Sequence, residues 1–209
     1  IVICGKRELH GCEFTVMPDR IAAATYLSCA ACAKGEIILK KCCPKHLDAV
    51  LSVLEQLGCS ISFTEDEIFF SGKEPLHSID IIRTMVYPGF PTDCQAFIMS
   101  AACIAQGTTV FVENIFENRY RHAEELRRMG ANIRTEGKVA VVEGVKKLYG
   151  AKVCAPDLRG GAGLVAAALC ADGKTEISGV NHIDRGYEDI ENVLADVGAD
   201  IKRINTYGL

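Results

Sequence analysis

The chain has 209 residues, 49% of them hydrophobic and none of them Trp, so a substantial core can form from aliphatic side chains and Cys. Its net charge of -4 disfavours non-specific binding to nucleic acid or to an anionic membrane, both of which call for a basic surface. The 11 Cys cannot all pair within one chain, and no apolar run reaches the length of a membrane span. With no signal peptide in view, the thiols are expected to be reduced and the protein cytoplasmic.

In chain order, Val2-Ile3-Cys4-Gly5 followed by Gly11 matches Val141-Val142-Glu143-Gly144 followed by Gly150. Residues 1–10 are therefore expected to be the last strand of a preceding, absent domain. From there the chain repeats itself, at about 11–72, 73–144 and 145–209. Each repeat has an opening Asp (Asp19, Asp93, Asp157) and a helix of small apolar residues that ends near a Gly (Gly35, Gly107, Gly173). A short alternating strand such as Thr108–Val112 follows, then an amphipathic helix such as His122–Met129. That helix stops at a second Gly: Gly58, Gly130 or Gly198. The two glycines of a repeat are 23, 23 and 25 residues apart. Two more strands close the unit, as at Asn132–Arg134 and Val139–Val142, and a strand such as Val153–Ala155 is expected ahead of each Asp. The unit reads βαβαββ. Three such units, with the apolar helices inside and the sheets outside, make an α/β (α+β) domain of pseudo-threefold form.

Polar residues differ between the repeats. Pro91-Thr92-Asp93 and Glu117-Asn118-Arg119 belong to the second; Asp157-Leu158-Arg159 and the run His182 to Glu188 belong to the third. Equivalent loops would bring Arg119, Arg159 and Arg185 to one rim with Asp93 and Asp157, where forked guanidinium groups bind phosphate or carboxylate. The run Gly160-Gly161-Ala162-Gly163 would let a ligand approach the helix start closely. The plainer reading stays open: Asp19, Asp93 and Asp157 all stand where a helix N-cap belongs, and Arg119 and Arg185 fit solvated loop charges. His46, His122 and His182 read as packing or loop residues. Cys29-x-x-Cys32 lacks the second pair that a zinc ribbon needs, so no metal is expected.

The combination resembles the enolpyruvyl transferases, and among them the enzymes that act on UDP-N-acetylglucosamine. The residues that carry it are Phe90 to Ala96, Ile115 to Tyr120, Arg128 to Ala131, Asp157 to Arg159, and His182-Ile183-Asp184-Arg185-Gly186-Tyr187-Glu188. The resemblance implies an inside-out α/β barrel domain with three βαβαββ repeats around buried helices, here the C-terminal one, over residues 11–209. It implies transfer of the enolpyruvyl group of phosphoenolpyruvate to the 3-hydroxyl of UDP-N-acetylglucosamine, the first committed step of peptidoglycan synthesis, with no cofactor. Asp93 would take the hydroxyl proton, with Asp157 as the second acid near the reacting centre. Arg185 would hold phosphoenolpyruvate, supported by Arg159 and Arg119; Thr92, Asp93, Ile115 and Phe116 would contact the nucleotide sugar. The partners implied are these two substrates and the missing N-terminal domain, with no nucleic acid and no membrane. The family's reactive Cys loop and its early Lys-Asn pair have no counterpart here, so the chain alone is expected to be inactive. Cys94 stands where the family carries an apolar residue, and it reads as an apolar replacement. The rivals are a 5-enolpyruvylshikimate-3-phosphate synthase-like enzyme and a non-catalytic binding module on the same fold.

Overall fold

A computed structural model of the chain describes residues 1–6 and 8–204; Arg7 and the end of the third expected repeat, 205–209, lie outside the described residues. Residues 1–6 and 8–19 contain neither helix nor strand. The strands expected at Val2–Cys4 and ahead of Asp19 are thus not formed, and Val2, Ile3, Leu9, Phe14 and Val16 are exposed. The reason is that an extended segment becomes a strand only when a neighbour takes up its N–H and C=O groups, and these residues pair with none.

The first unit then runs α1 (Arg20–Cys32), β1 (Glu36–Lys40), α2 (Asp48–Gln56), β2 (Ser60–Phe63) and β3 (Glu67–Ser71). The second runs β4 (Ile81–Arg83), α3 (Gln95–Ala102), β5 (Thr108–Val112), α4 (Arg121–Arg128), β6 (Asn132–Glu136) and β7 (Val139–Glu143). The third has β8 (Leu148–Tyr149), β9 (Lys152–Cys154), α5 (Leu158–Ala168), β10 (Ala171–Asp172), β11 (Glu176–Ser178) and α6 (Ile190–Asp196). The second unit carries the full βαβαββ order.

Strand order is β1-β3-β2 in the first sheet, all antiparallel, and β4-β5-β7-β6 in the second, where β4 lies parallel to β5. In the third unit β8 pairs with β10 and β9 with β11, both parallel. Alternation sends Ile68 and Phe70 of β3, Phe111 of β5, and Ala140 and Val142 of β7 inward, where all are buried.

The three apolar helices α1, α3 and α5 pack on one another at the centre, α3 most extensively against α5. Every residue of α3 is buried, as expected of a helix apolar on all sides. Helices α2 and α4 bury one face each, through Val50, Leu51, Val53 and Leu54, and through His122, Ala123 and Leu126. Gly58 and Gly130 end them in the left-handed region, at φ +102° and +93°, where a Cβ would be strained. No described helix is long and apolar enough to cross a membrane.

Small residues let the central helices approach. A Cβ on Gly163 would sit 3.0 Å from the Ala96 backbone, and Ser100 Oγ donates to Gly163 O at 2.8 Å across the α3–α5 contact. A Cβ on Gly161 would lie 2.7 Å from Ile183 Cγ1, and one on Gly160 would lie 2.9 Å from Pro156 Cγ. The expectation that this run opens the helix start to a ligand is therefore corrected. All three glycines are buried against protein atoms and serve packing.

Candidate active site

The three opening Asp residues are not used alike. Asp19 Oδ1 accepts from the amides of Ile21 and Ala22 at 2.8 and 3.1 Å and caps α1. Asp157 Oδ1 accepts from Arg159 and Gly160 at 3.0 and 2.8 Å and caps α5. Asp93 caps nothing: it lies inside the 3-10 turn Thr92–Cys94 that leads into α3, and no side-chain cap bond is made there. Its Oδ1 instead accepts from Arg119 Nη2 at 3.0 Å, and Arg159 Nε stands 3.7 Å away. The Asp93 side chain keeps 43% of its surface exposed, against 18% for Arg119 and 16% for Arg159. An accessible carboxylate thus rests on two largely buried guanidinium groups.

Each Arg is held from behind. Arg119 lies over the Phe116 ring, 5.2 Å from its centroid, and Arg159 over Tyr187 at 5.7 Å. Arg159 Nη1 also donates to Tyr187 Oη at 3.1 Å, and that hydroxyl meets Thr25 Oγ1 at 2.7 Å. Thr25 in turn donates to Ile21 O at 2.9 Å. A relay of hydrogen bonds therefore ties the guanidinium of α5 to the backbone of α1 through a buried Tyr whose pKa is raised, chiefly by burial.

Thr92, Ile115 and Phe116 share one anchor that the sequence reading missed. Glu113 is only 1% exposed. Its Oε1 accepts from Thr84 Oγ1 at 2.8 Å and from the amides of Ile115 and Phe116 at 2.9 and 3.1 Å. Its Oε2 accepts from Thr92 Oγ1 at 2.9 Å. The bonds fix the loop after β5 and leave Ile115 and Phe116 40% and 49% exposed, with the Phe116 ring against Arg119. The signal was present in the alternation of β5: Thr109 and Phe111 face inward, so Glu113 must as well.

His122 is buried beneath the same cluster, and its Nε2 has no partner. Desolvation brings its pKa down to about 4, opposed by nearby Asp157 and reinforced by Arg119. Cys94 is fully buried and its thiol is pushed up by burial, in keeping with an apolar role.

The structure brings Asp93, Arg119 and Arg159 together, with Thr92, Ile115 and Phe116 alongside. Asp157 stands at the neighbouring helix start, its Oδ1 occupied by the cap. Arg185 is exposed on the loop that carries Tyr187 and touches none of these side chains among the described contacts; its neighbour Gly186 lies against Arg159. Asp184, on the same loop, pairs with Arg203 at 2.7 Å. Among the described residues no group of three or more His, Cys, Asp or Glu is placed to hold a metal ion. A pocket of about 590 Å³ lies away from this cluster, on the first sheet, lined by residues such as Ile38, Ile61 and Phe69.

Residues 1–194 match the family model described as EPSP synthase (3-phosphoshikimate 1-carboxyvinyltransferase). The chain belongs to this family of carboxyvinyltransferases. Within the family it is 50% identical, over 98% of its length, to UDP-N-acetylglucosamine 1-carboxyvinyltransferase 2 of Caldanaerobacter subterraneus subsp. tengcongensis, of which it covers 49%. It is 48% identical, over 97% of its length, to UDP-N-acetylglucosamine 1-carboxyvinyltransferase of Desulfofundulus thermocisternus, of which it covers 84%. The chain thus spans about half the length of the first of these curated relatives. Among solved structures, the enolpyruvyl transferase NikO from Streptomyces tendae matches with a TM-score of 0.79 and 27% identity, over 90% of this chain and 45% of that one. EPSP synthase from Acinetobacter baumannii shares the fold, with a TM-score of 0.72 and 18% identity over 88% of this chain and 46% of that one. The carboxyvinyltransferase fold accounts for the central helices and the outer sheets described above.

Proposed function

We propose that this chain forms one wall of the active site of an enzyme that transfers the enolpyruvyl group of phosphoenolpyruvate to the 3-hydroxyl of UDP-N-acetylglucosamine. The other wall belongs to the part of its longer relatives that this chain does not cover. The setting is a cytoplasmic step of bacterial peptidoglycan synthesis, and so of cell wall biogenesis. The observation that carries the reading is the different use of the three Asp residues. Two are committed to helix caps, while Asp93 is exposed and braced by Arg119 and Arg159. A carboxylate positioned by two guanidinium groups, with much of its surface open to a ligand, can accept the proton of a sugar hydroxyl.

The chemistry follows from that placement. As Asp93 removes the proton, the sugar oxygen bonds to C2 of phosphoenolpyruvate while C3 gains a proton, giving a tetrahedral intermediate. Loss of phosphate from C2 and of a proton from C3 restores the double bond. Asp157, whose Oδ1 caps α5, serves through its other oxygen as the second acid. Arg119, Arg159 and the exposed Arg185 stabilise the carboxylate and phosphate charge. Thr92, Ile115 and Phe116 pack against the nucleotide sugar.

Shikimate 3-phosphate is the alternative acceptor, favoured by the description of the family model. The relatives at 45–50% identity, all named for UDP-N-acetylglucosamine, support the nucleotide sugar. Calorimetric titration separates the two, and it separates both from a module with no ligand. UDP-N-acetylglucosamine should bind the chain weakly and lose its heat in Asp93→Ala, and shikimate 3-phosphate should give none. Heat that survives Asp93→Ala unchanged, or appears only with shikimate 3-phosphate, would overturn the assignment.

A further inference from the structure

Arg159, on the third unit, is aimed by two hydroxyls, one of which belongs to the first unit, and every proton between them can be placed. Thr25 Oγ1 has a single proton and donates it to Ile21 O at 2.9 Å. The 2.7 Å bond between Thr25 Oγ1 and Tyr187 Oη must then be donated by Tyr187. Tyr187 Oη in turn accepts from Arg159 Nη1 at 3.1 Å, the only sense open to a guanidinium, which has no acceptor. Arg159, Tyr187, Thr25 and Ile21 O therefore form one directed chain. Tyr187 is 3% exposed and Thr25 is fully buried, so water does not compete for these bonds. Phe and Val would fill the same space without two hydroxyls to satisfy, so packing alone does not call for Tyr and Thr here.

The chain decides which edge of Arg159 is free. Nη1 is committed to Tyr187, whose ring also lies against the guanidinium. Nε stands 3.7 Å from Asp93 Oδ1, beyond hydrogen-bond length. Nη2 has no protein acceptor among the described residues and is not sealed from solvent. The loop behind is closely packed: a Cβ on Gly186 would sit 3.0 Å from Leu158 Cδ2 and 3.6 Å from Arg159 Nη1. Released from Tyr187, the guanidinium has one strong partner within reach, the Asp93 carboxylate, which would take Nε and Nη2 together as a forked pair.

We propose that Tyr187 and Thr25 are positioning residues: they hold Arg159 out of a forked pair with Asp93 and keep its Nη2 edge open to the phosphate or carboxylate of phosphoenolpyruvate. The inference rests on the function proposed above. Both residues act through Arg159. One hydroxyl of the first unit thereby contributes to a site whose charged groups come from the second and third.

The test uses the whole chain with Tyr187→Phe and Thr25→Val, which keep side-chain shape, and Thr25→Ser, which keeps the hydroxyl. Nuclear magnetic resonance of the arginine side chains follows the guanidinium, the Arg159 signal being assigned by its loss in Arg159→Lys. Phosphoenolpyruvate and UDP-N-acetylglucosamine are titrated separately. In Tyr187→Phe and Thr25→Val the Arg159 signal should move and the affinity for phosphoenolpyruvate should fall about tenfold, while that for UDP-N-acetylglucosamine stays within about twofold. Thr25→Ser should keep the affinity for phosphoenolpyruvate. A lower urea midpoint with the ratio of the two affinities unchanged is the mark of a merely structural pair and would overturn the proposal. So would a loss in Thr25→Ser equal to that in Thr25→Val. Phosphoenolpyruvate that leaves the Arg159 signal of the parent chain unmoved would instead sink the function proposed above, and this inference with it.

Discussion

Two side chains, Glu113 and His122, show how burial sets a residue's task. Glu113 is inside the protein because the register of β5 puts it there, and four donors make that position tolerable. In Glu113→Ala the hydroxyls of Thr84 and Thr92 and two loop amides lose their acceptor. A stability loss of about 3 kcal/mol is expected in urea unfolding, together with weaker binding of UDP-N-acetylglucosamine. His122 is the opposite case, a titratable group buried without a partner for Nε2. Its pKa of about 4 lies below the ordinary 6.5, so the unfolded chain binds the proton first as pH falls. Stability is then full above about pH 6.5 and declines down to about 4, by on the order of 3 kcal/mol. Asp184 and Glu191, held down by Arg203, act only below the usual carboxylate range, so the higher window belongs to His122. Unfolding measured at pH 7 and pH 4.5 should show this loss in the parent chain and a smaller one in His122→Gln. The alternation of β5 carried the signal for Glu113, and His122, read as a packing or loop residue, is indeed buried; what the sequence did not show was the use of the three opening Asp residues. It presented three equivalent Asp residues, and only packing shows that Asp93 escapes capping because a 3-10 turn precedes α3.

Among the elements, the central helices were the most legible. Segments such as Ile21–Ala33 and Gln95–Ala102 are apolar on every side, and only a buried position satisfies them. The amphipathic helices and their terminal glycines were equally readable, because Gly58, Gly130 and Gly198 all take the positive φ that a C-cap requires. The glycine run of α5 was misread, since a missing Cβ looks the same in sequence whether a ligand or another helix fills the space. Gly163→Ala should cost about 1–3 kcal/mol by pushing α3 and α5 apart, checked by the shift in the urea midpoint. Gly144→Ala should be worse, because its Cβ would fall 1.6 Å from Ala105 O. The strands expected at Val2–Cys4 and ahead of Asp19 are not formed in this chain, because a strand depends on its neighbour, which local sequence does not contain. Strand β5 is flanked by β4 and β7, whereas β1 has only β3 beside it among the described residues. The β1 amides that point away from β3 should therefore exchange with solvent faster than any in β5, as read by amide hydrogen exchange.

At the scale of the molecule, the repeat builds a scaffold and its departures from symmetry build a site. Three helices with matched starts converge; one start is left uncapped, and two Arg side chains from neighbouring loops and helices close on it. Asp93 is the proposed base of an enolpyruvyl transfer to UDP-N-acetylglucosamine. The most direct test replaces the matching segment of the Caldanaerobacter relative with this chain and follows phosphate release from phosphoenolpyruvate. Release should require UDP-N-acetylglucosamine, should not be supported by shikimate 3-phosphate, and should fall by about 10²–10⁴-fold in Asp93→Asn. Undiminished release in Asp93→Asn, or release driven by shikimate 3-phosphate instead, would contradict the assignment.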